Sequence, residues 1–245
     1  MKRLFILLTL LSSFVSAGTI SVAVAANVSY AIKDLKKEFN KTHPEIKVRV
    51  TLGSSGKLTA QIKHGAPYQI FMSANMKYPK ALYKEKIAIS EPLVYAFGSL
   101  AILSHKKRDM SSGIYLLRSE TISKVAIANP KTAPYGIAAM QAVKNAKILN
   151  DIKSKFVYGE SISQTVSYAV TAADIGIIAK SSLYSSHMSK YKKNINWVAV
   201  DTKLYTPIKQ GIVMLEDDKE VKAFYDFILS ADAKKIFKKY GYLIP

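Results

Sequence analysis

Four short stretches of this chain join small, neutral hydrogen-bond donors to the start of a helix. They are Ala25-Ala26-Asn27-Val28-Ser29, Gly53-Ser54-Ser55-Gly56, Ala133-Pro134-Tyr135-Gly136 and Gly159-Glu160-Ser161-Ile162-Ser163. Each comes soon after a strand-like run. The first turn of a helix leaves its backbone N–H groups unpaired and carries the positive end of the helix dipole. That combination suits an anion, and open α/β sheets bind ligands beyond the carboxyl ends of their strands. Ser, Asn and Gly are also ordinary caps. One such junction means little, whereas four in one chain point to a bound anion.

Other chemistries fit less well. The chain has no cysteine, which excludes disulfide frameworks, thiolate metal sites and thiol catalysis. Its four histidines, His43, His64, His105 and His187, are too far apart in sequence for a helical metal-binding pair. The string Gly53-Ser54-Ser55-Gly56-Lys57 suggests a phosphate loop, but that motif needs glycine at position 51 and Ser or Thr at 58, where this chain has Thr51 and Leu58. Asn27-Val28-Ser29 matches a glycosylation acceptor, a pattern common by chance. No Ser–His–Asp triad can be assigned. Glu160 is the one acid beside the four junctions that an exported hydrolase could use. Facing an anion it would be repelled, so it is expected to point to solvent or to cap the helix that follows.

The elements that must position these junctions alternate. Residues 19–26 read as a strand, and Ile32, Leu35 and Phe39 then fall at helical spacing. Residues 47–52 alternate as a second strand. Leu58 and Ile62 share one helical face, and Gly65-Ala66-Pro67 ends that helix. Residues 69–73 form a third strand, followed by a helix through Tyr78, Leu82 and Tyr83. This βαβαβα order is that of an open α/β sheet. Residues 93–103 are a long apolar, strand-like segment. Further strands are expected at 125–128, 175–179, 197–200 and 211–215, with helices at 136–148 and 162–170. The C-terminus reads as one helical stripe from Val221 through Phe224, Tyr225, Ile228 and Leu229 to Ile236, Phe237 and Tyr240, with Gly241 as its cap. No linker-like segment separates two halves. If there are two lobes, the chain must cross between them near 96–101 and 200–207, leaving a cleft suited to a small ligand.

The 245 residues carry 36 basic and 17 acidic side chains, a net charge of +19. The surplus is spread along the chain rather than gathered in a tail, with 14 basic and 5 acidic residues in each of the first two hundreds. A solvated, lysine-rich surface explains this better than a nucleic-acid face, which concentrates its charge. Lys2 and Arg3, an apolar run over 4–11 and Val15-Ser16-Ala17 before Gly18 form the three parts of a secretory signal. Residues 1–17 are therefore expected to be a leader, and the mature chain to be periplasmic.

Several strings together resemble the periplasmic molybdate-binding proteins of ABC transporters. They are Val24-Ala25-Ala26-Asn27-Val28-Ser29, Gly53-Ser54-Ser55-Gly56-Lys57-Leu58 with Gln61-Ile62, and Gly65-Ala66-Pro67 before Ile70-Phe71-Met72-Ser73-Ala74. Asn129-Pro130 with Ala133-Pro134-Tyr135-Gly136 follows, then Ala223-Phe224-Tyr225 with Phe237 and Tyr240-Gly241. The likeness spans nearly the whole chain after residue 17 and is most specific from Gly53 to Ala74. The resemblance implies an α/β, two-lobed periplasmic binding protein of type II-like architecture, with open sheets, helices on both faces and a ligand cleft between lobes. Lobe I is then 18–98 plus 204–245, and lobe II is 99–203.

The resemblance also implies an oxyanion site made of Asn27 and Ser55 from the first lobe, with Ser54 as a near alternative, and of Tyr135 and the backbone N–H of Ile162 from the second. These residues would hold molybdate or tungstate through its oxygens, without coordinating the metal. The chain resembles the family branch with Asn at the first position and Tyr in the Ala-Pro-Tyr-Gly turn. It has Ala74-Asn75 where the family usually has Ala-Asp, and Ala179 where the other branch has Tyr. The implied partner is a membrane permease. No cofactor, no enzymatic step, no nucleic acid and a monomer are expected. Rival readings are a binder of another oxyanion such as sulfate, and a salt-sensitive binder of anionic polymers.

Overall fold

The computed structural model describes residues 18–245. The expected leader, residues 1–17, lies outside the described residues. Two five-stranded sheets organise the chain. The elements run β1 (Thr19–Ala25), α1 (Ile32–Phe39), β2 (Lys47–Gly53), α2 (Ser55–Lys63), β3 (Ile70–Ser73), α3 (Lys77–Lys84), β4 (Leu93–Gly98) and β5 (Leu100–Leu103). They continue with β6 (Val125–Ala128), α4 (Pro134–Asn145), α5 (Leu149–Ile152), β7 (Phe156–Gly159), α6 (Ile162–Thr171), β8 (Ile175–Ala179), β9 (Trp197–Ala199), β10 (Ile208–Met214), α7 (Lys219–Leu229) and α8 (Ala231–Lys239).

The first sheet has the order β2-β1-β3-β10-β4 and the second β7-β6-β8-β5-β9. In the first, β1, β2 and β3 are parallel and β10 is antiparallel to both of its neighbours. In the second, β6, β7 and β8 are parallel and β5 is antiparallel to β8 and β9. The chain passes between sheets twice. Ser99 alone separates β4 from β5, and residues 200–207 carry the chain back from β9 to β10. The apolar run over 93–103 is thus two strands in two different sheets.

Burial on both faces explains the continuous apolar strands. Val22 and Val24 of β1 pack toward α1, α7 and α8 with Leu35, Phe39, Phe224 and Phe237. Ala23, between them, faces α2 and α3 with Leu58, Phe71 and Leu82. The second sheet is covered on one side by α4 and α5 and on the other by α6, whose Val166 and Ala169 are buried against Ala126 and Ile178. This is an α/β fold with helices on both faces of each sheet.

Two features depart from the sequence-based expectation. The C-terminal stripe is two helices. Ser230 is extended, with φ −70° and ψ 165°, and its hydroxyl accepts the Ala233 N–H at 3.3 Å. Serine competes for the backbone in this way and favours caps over helix interiors. Strand β7, implied before the Gly159 junction but given no bounds by the sequence, lies at the edge of its sheet.

Candidate functional site

The carboxyl ends of four parallel strands deliver the four donor-rich junctions. β1 runs into a 3-10 turn over Ala26–Val28 that carries Asn27. β2 ends at Gly53, where extended Ser54 caps α2 and Ser55 begins it. After β6, Ala133 caps α4, Pro134 takes its first position and Tyr135 its second, a placement that suits proline. After β7, Ser161 caps α6 by accepting the Gln164 N–H at 3.3 Å, and Ile162 begins the helix. β1 and β2 belong to the first sheet, β6 and β7 to the second.

All four junctions meet at one cavity. Asn27, Ser54, Ser55, Tyr135 and Ile162 line it, together with small apolar groups such as Ala26, Ala74 and Pro134. The space it encloses is small, about 190 Å³ with its open mouth included. No Lys, Arg, His, Asp or Glu is among the lining residues. A larger and more open groove, about 810 Å³, lies between Asn75–Met76, α4 and residues 206–209. Strand ends and buried hydroxyls do not converge there.

The cavity is a cluster of donors. Ser55, Tyr135 and Ile162 stand in first helical turns, so their N–H groups have no carbonyl within the helix. The Ser55 oxygen accepts the Ala74 N–H at 3.0 Å. Its own proton is then free for another acceptor. Ser54 Oγ is buried with no partner among the described residues. An unmade buried hydrogen bond costs about 1–3 kcal/mol, so both hydroxyls gain from an acceptor placed in the cavity.

Behind this lining lies a buried polar network that the sequence did not reveal. Asn27 Nδ2 donates to Gln210 Oε1 at 2.7 Å and to the Tyr242 hydroxyl at 3.0 Å. The Tyr95 hydroxyl donates to the same Gln210 oxygen at 2.9 Å, and Gln210 Nε2 donates to the Tyr135 hydroxyl at 3.4 Å. Tyr242 in turn donates to the Asn27 carbonyl at 2.8 Å. The Asn27 side-chain N–H groups are thus committed to the network and Oδ1 is left unpartnered, so Asn27 can serve the cavity through its backbone N–H. Burial, and then the neighbouring tyrosines, hold Tyr135 well above the usual tyrosine range; burial pushes Tyr242 up to about 12. Both hydroxyls therefore remain protonated donors at neutral pH. Gln210 follows Lys209 in the otherwise apolar β10 and Tyr242 follows the last helix. Neither position carries a local pattern that marks it.

The two halves of the cavity are drawn together by direct contacts. Gly56 N–H donates to the Thr132 carbonyl at 2.9 Å. Ser163 donates to the Ala26 carbonyl at 2.8 Å and lies 3.3 Å from the Ser29 hydroxyl. Lys57 pairs with Glu160 at 2.6 Å, both well exposed. Glu160 faces solvent as expected, but its carboxylate pairs across the cleft rather than capping α6. Glycine is needed at position 56, since a Cβ there would lie 2.9 Å from the Thr132 oxygen and 2.7 Å from the Tyr78 hydroxyl.

Known proteins resemble this chain in sequence and fold. The sequence model of the family described as bacterial extracellular solute-binding protein matches residues 20–243. The molybdate-binding protein ModA of Azotobacter vinelandii is 34% identical over 238 residues, covering 95% of this chain and 93% of that protein. ModA of Rhodobacter capsulatus is also 34% identical, over 93% of this chain and 89% of its own. The solved periplasmic molybdate-binding protein of A. vinelandii superposes with a TM-score of 0.83 at 28% identity, over 92% of this chain and 99% of that one.

Proposed function

The chain belongs to the bacterial extracellular solute-binding proteins, and from that premise we propose that it captures molybdate or tungstate between two lobes and presents it to an ABC permease. The supporting observation is the small cavity lined by neutral donors at three helix starts and the 3-10 turn of Asn27. A tetrahedral dianion offers only acceptors, so a matching site needs only donors. Hydrogen bonds to a charged acceptor contribute about 1.5–3 kcal/mol each, and several together offset desolvation and closure.

In this reading lobe I is 18–98 plus 204–245 and lobe II is 99–203. Asn27 and Ile162 act through backbone N–H, Ser55 through its hydroxyl and N–H with Ser54 beside it, and Tyr135 through its hydroxyl. Because the donors are fixed by helix ends on two sheets, cavity size separates molybdate and tungstate from the smaller sulfate. Protonated phosphate also needs an acceptor, and no carboxylate lines the cavity. The same lack of an acid–base pair leaves the site without a hydrolytic step. Surface lysines raise the encounter rate without touching the ion. The protein acts as a periplasmic monomer with no cofactor and no nucleic-acid partner, and closure gives the permease a shape to read.

Calorimetric titration of the mature chain with molybdate, tungstate, sulfate and phosphate tests this. Tight one-to-one binding of the first two, with sulfate and phosphate weak, is expected. Sulfate binding as tight as molybdate would reassign the ligand.

A further inference from the structure

We propose that Gln210 is a positioning residue that aims the Tyr135 hydroxyl proton into the ligand cavity and so ties occupancy to the crossing between the lobes. This rests on the oxyanion reading of that cavity. Gln210 lies on β10, where the ladder with β4 shifts register between Gln210 and Gly211, and it is fully buried. Its amide has a fixed polarity. Oε1 takes protons from Asn27 Nδ2 and the Tyr95 hydroxyl, so Nε2 is the end presented to Tyr135.

A tyrosine hydroxyl has one proton to give. Its oxygen accepts from Gln210, and no protein acceptor for its proton is found among the described residues. Tyr135 lines the cavity, so an anion there supplies that acceptor. The contact also joins the halves of the molecule, because Gln210 is in the first sheet and Tyr135 begins α4 over the second. It is made in the notch left by Gly98, the last residue before the chain crosses at Ser99. A Cβ on Gly98 would collide with the Tyr135 hydroxyl and crowd Gln210 Nε2 at 2.9 Å. Gln210 thus holds Asn27, from the first sheet's side, and Tyr135, from the second's, beside the Ser99 crossing.

Two substitutions separate this role from packing. Gln210→Met keeps about the same volume but removes both the donor to Tyr135 and the acceptor of Asn27 and Tyr95. Gln210→Glu keeps an acceptor for Asn27 and Tyr95, and offers Tyr135 an acceptor in place of a donor. The test is molybdate titration of the wild type, of both Gln210 variants, of Tyr135→Phe and of each double variant, with thermal unfolding alongside.

Each single variant is expected to lose about tenfold or more in affinity, the scale of one charge-assisted hydrogen bond. Each double variant should be no more than about twofold weaker than its weaker parent, because Gln210 acts through the hydroxyl that Tyr135→Phe removes. Independent losses that multiply in the double variants would overturn the inference, as would unchanged affinity in either Gln210 variant. If Gln210→Met does not fold, the Gln210→Glu pair decides by itself. A wild type that binds no oxyanion overturns the functional reading and the inference together, while a binding wild type with multiplying losses overturns the inference alone.

Discussion

The Ser55 hydroxyl accepts the Ala74 N–H at 3.0 Å, and that bond fixes what the hydroxyl can do next. With its oxygen engaged by the backbone that follows β3, its proton is available to the cavity. Ser55 is buried at the first position of α2, so water cannot readily serve as that acceptor. The cavity therefore carries a donor with no hydrogen-bond acceptor for its proton among the described residues.

Ser55→Ala removes that donor and leaves the fold. We expect molybdate affinity to fall by roughly 10- to 100-fold, corresponding to one hydrogen bond to a charged acceptor. The Ala74 N–H loses its acceptor as well, so thermal unfolding should show a modest drop, on the order of 1 kcal/mol. Calorimetry with a parallel melting curve measures both, and unchanged affinity would remove Ser55 from the site.

Gly56→Ala addresses closure rather than contact with the ion. A methyl group there meets the Thr132 carbonyl and the Tyr78 hydroxyl, so the Gly56–Thr132 bond cannot form at its present distance. Affinity should fall about tenfold or more, while stability changes by less than about 1 kcal/mol, because α2 tolerates alanine well. Small-angle scattering with saturating molybdate should show a larger radius of gyration than the liganded wild type. Equal compactness and affinity would mean that this contact does not limit closure.

The residues of the cavity were legible because their types recur at helix starts. Serine before α2, the Ala-Pro-Tyr-Gly turn before α4 and the Gly-Glu-Ser run before α6 each announce a local event, and the structure brings them to one place. The βαβαβα order was equally open, since alternation and helical spacing survive in short windows. What stayed hidden depends on distance in the chain. Gln210 meets residues 75, 115 and 183 positions away, and nothing around it distinguishes a network glutamine from an edge-strand one. The break at Ser230 was hidden because the apolar stripe continues through it at helical spacing. The sequence places Glu160 toward solvent or at the cap of α6, and its pairing with Lys57, 103 positions earlier, is out of reach of any local pattern.

The Lys57–Glu160 pair sets a limit on what charge contributes to closure. Both side chains are more than half exposed, and exposed pairs contribute about 0–1 kcal/mol. Glu160→Gln should therefore change molybdate affinity by less than about fivefold. It should also speed ligand release more at low salt than at high salt. Loss of binding altogether would instead make Glu160 part of the site.

Tyr242 gives the fold an alkaline limit. Its pKa is raised from 10.0 to about 12 by burial, so between those values the unfolded chain has released a proton that the folded chain retains. The contribution of this group is fully present below about pH 10 and is lost as pH rises toward about 12, amounting to roughly 2–3 kcal/mol. Denaturant titrations from pH 9 to 12 should show stability falling in that window. Tyr242→Phe should be less stable at pH 8, through loss of the bonds to Asn27, and should fall less steeply above pH 10. An unaltered slope would show that Tyr242 does not titrate with folding.

If the neutral donors at three helix starts and the Asn27 turn hold a small oxyanion, molybdate titration of residues 18–245 at two ionic strengths should show it. Tight one-to-one binding that changes little between low and moderate salt, with sulfate much weaker, is the predicted result, because no cationic side chain lines the cavity. Absence of binding, or binding that collapses as salt is raised in the manner of a polyelectrolyte contact, would remove the cavity from the function and transfer it to the basic surface.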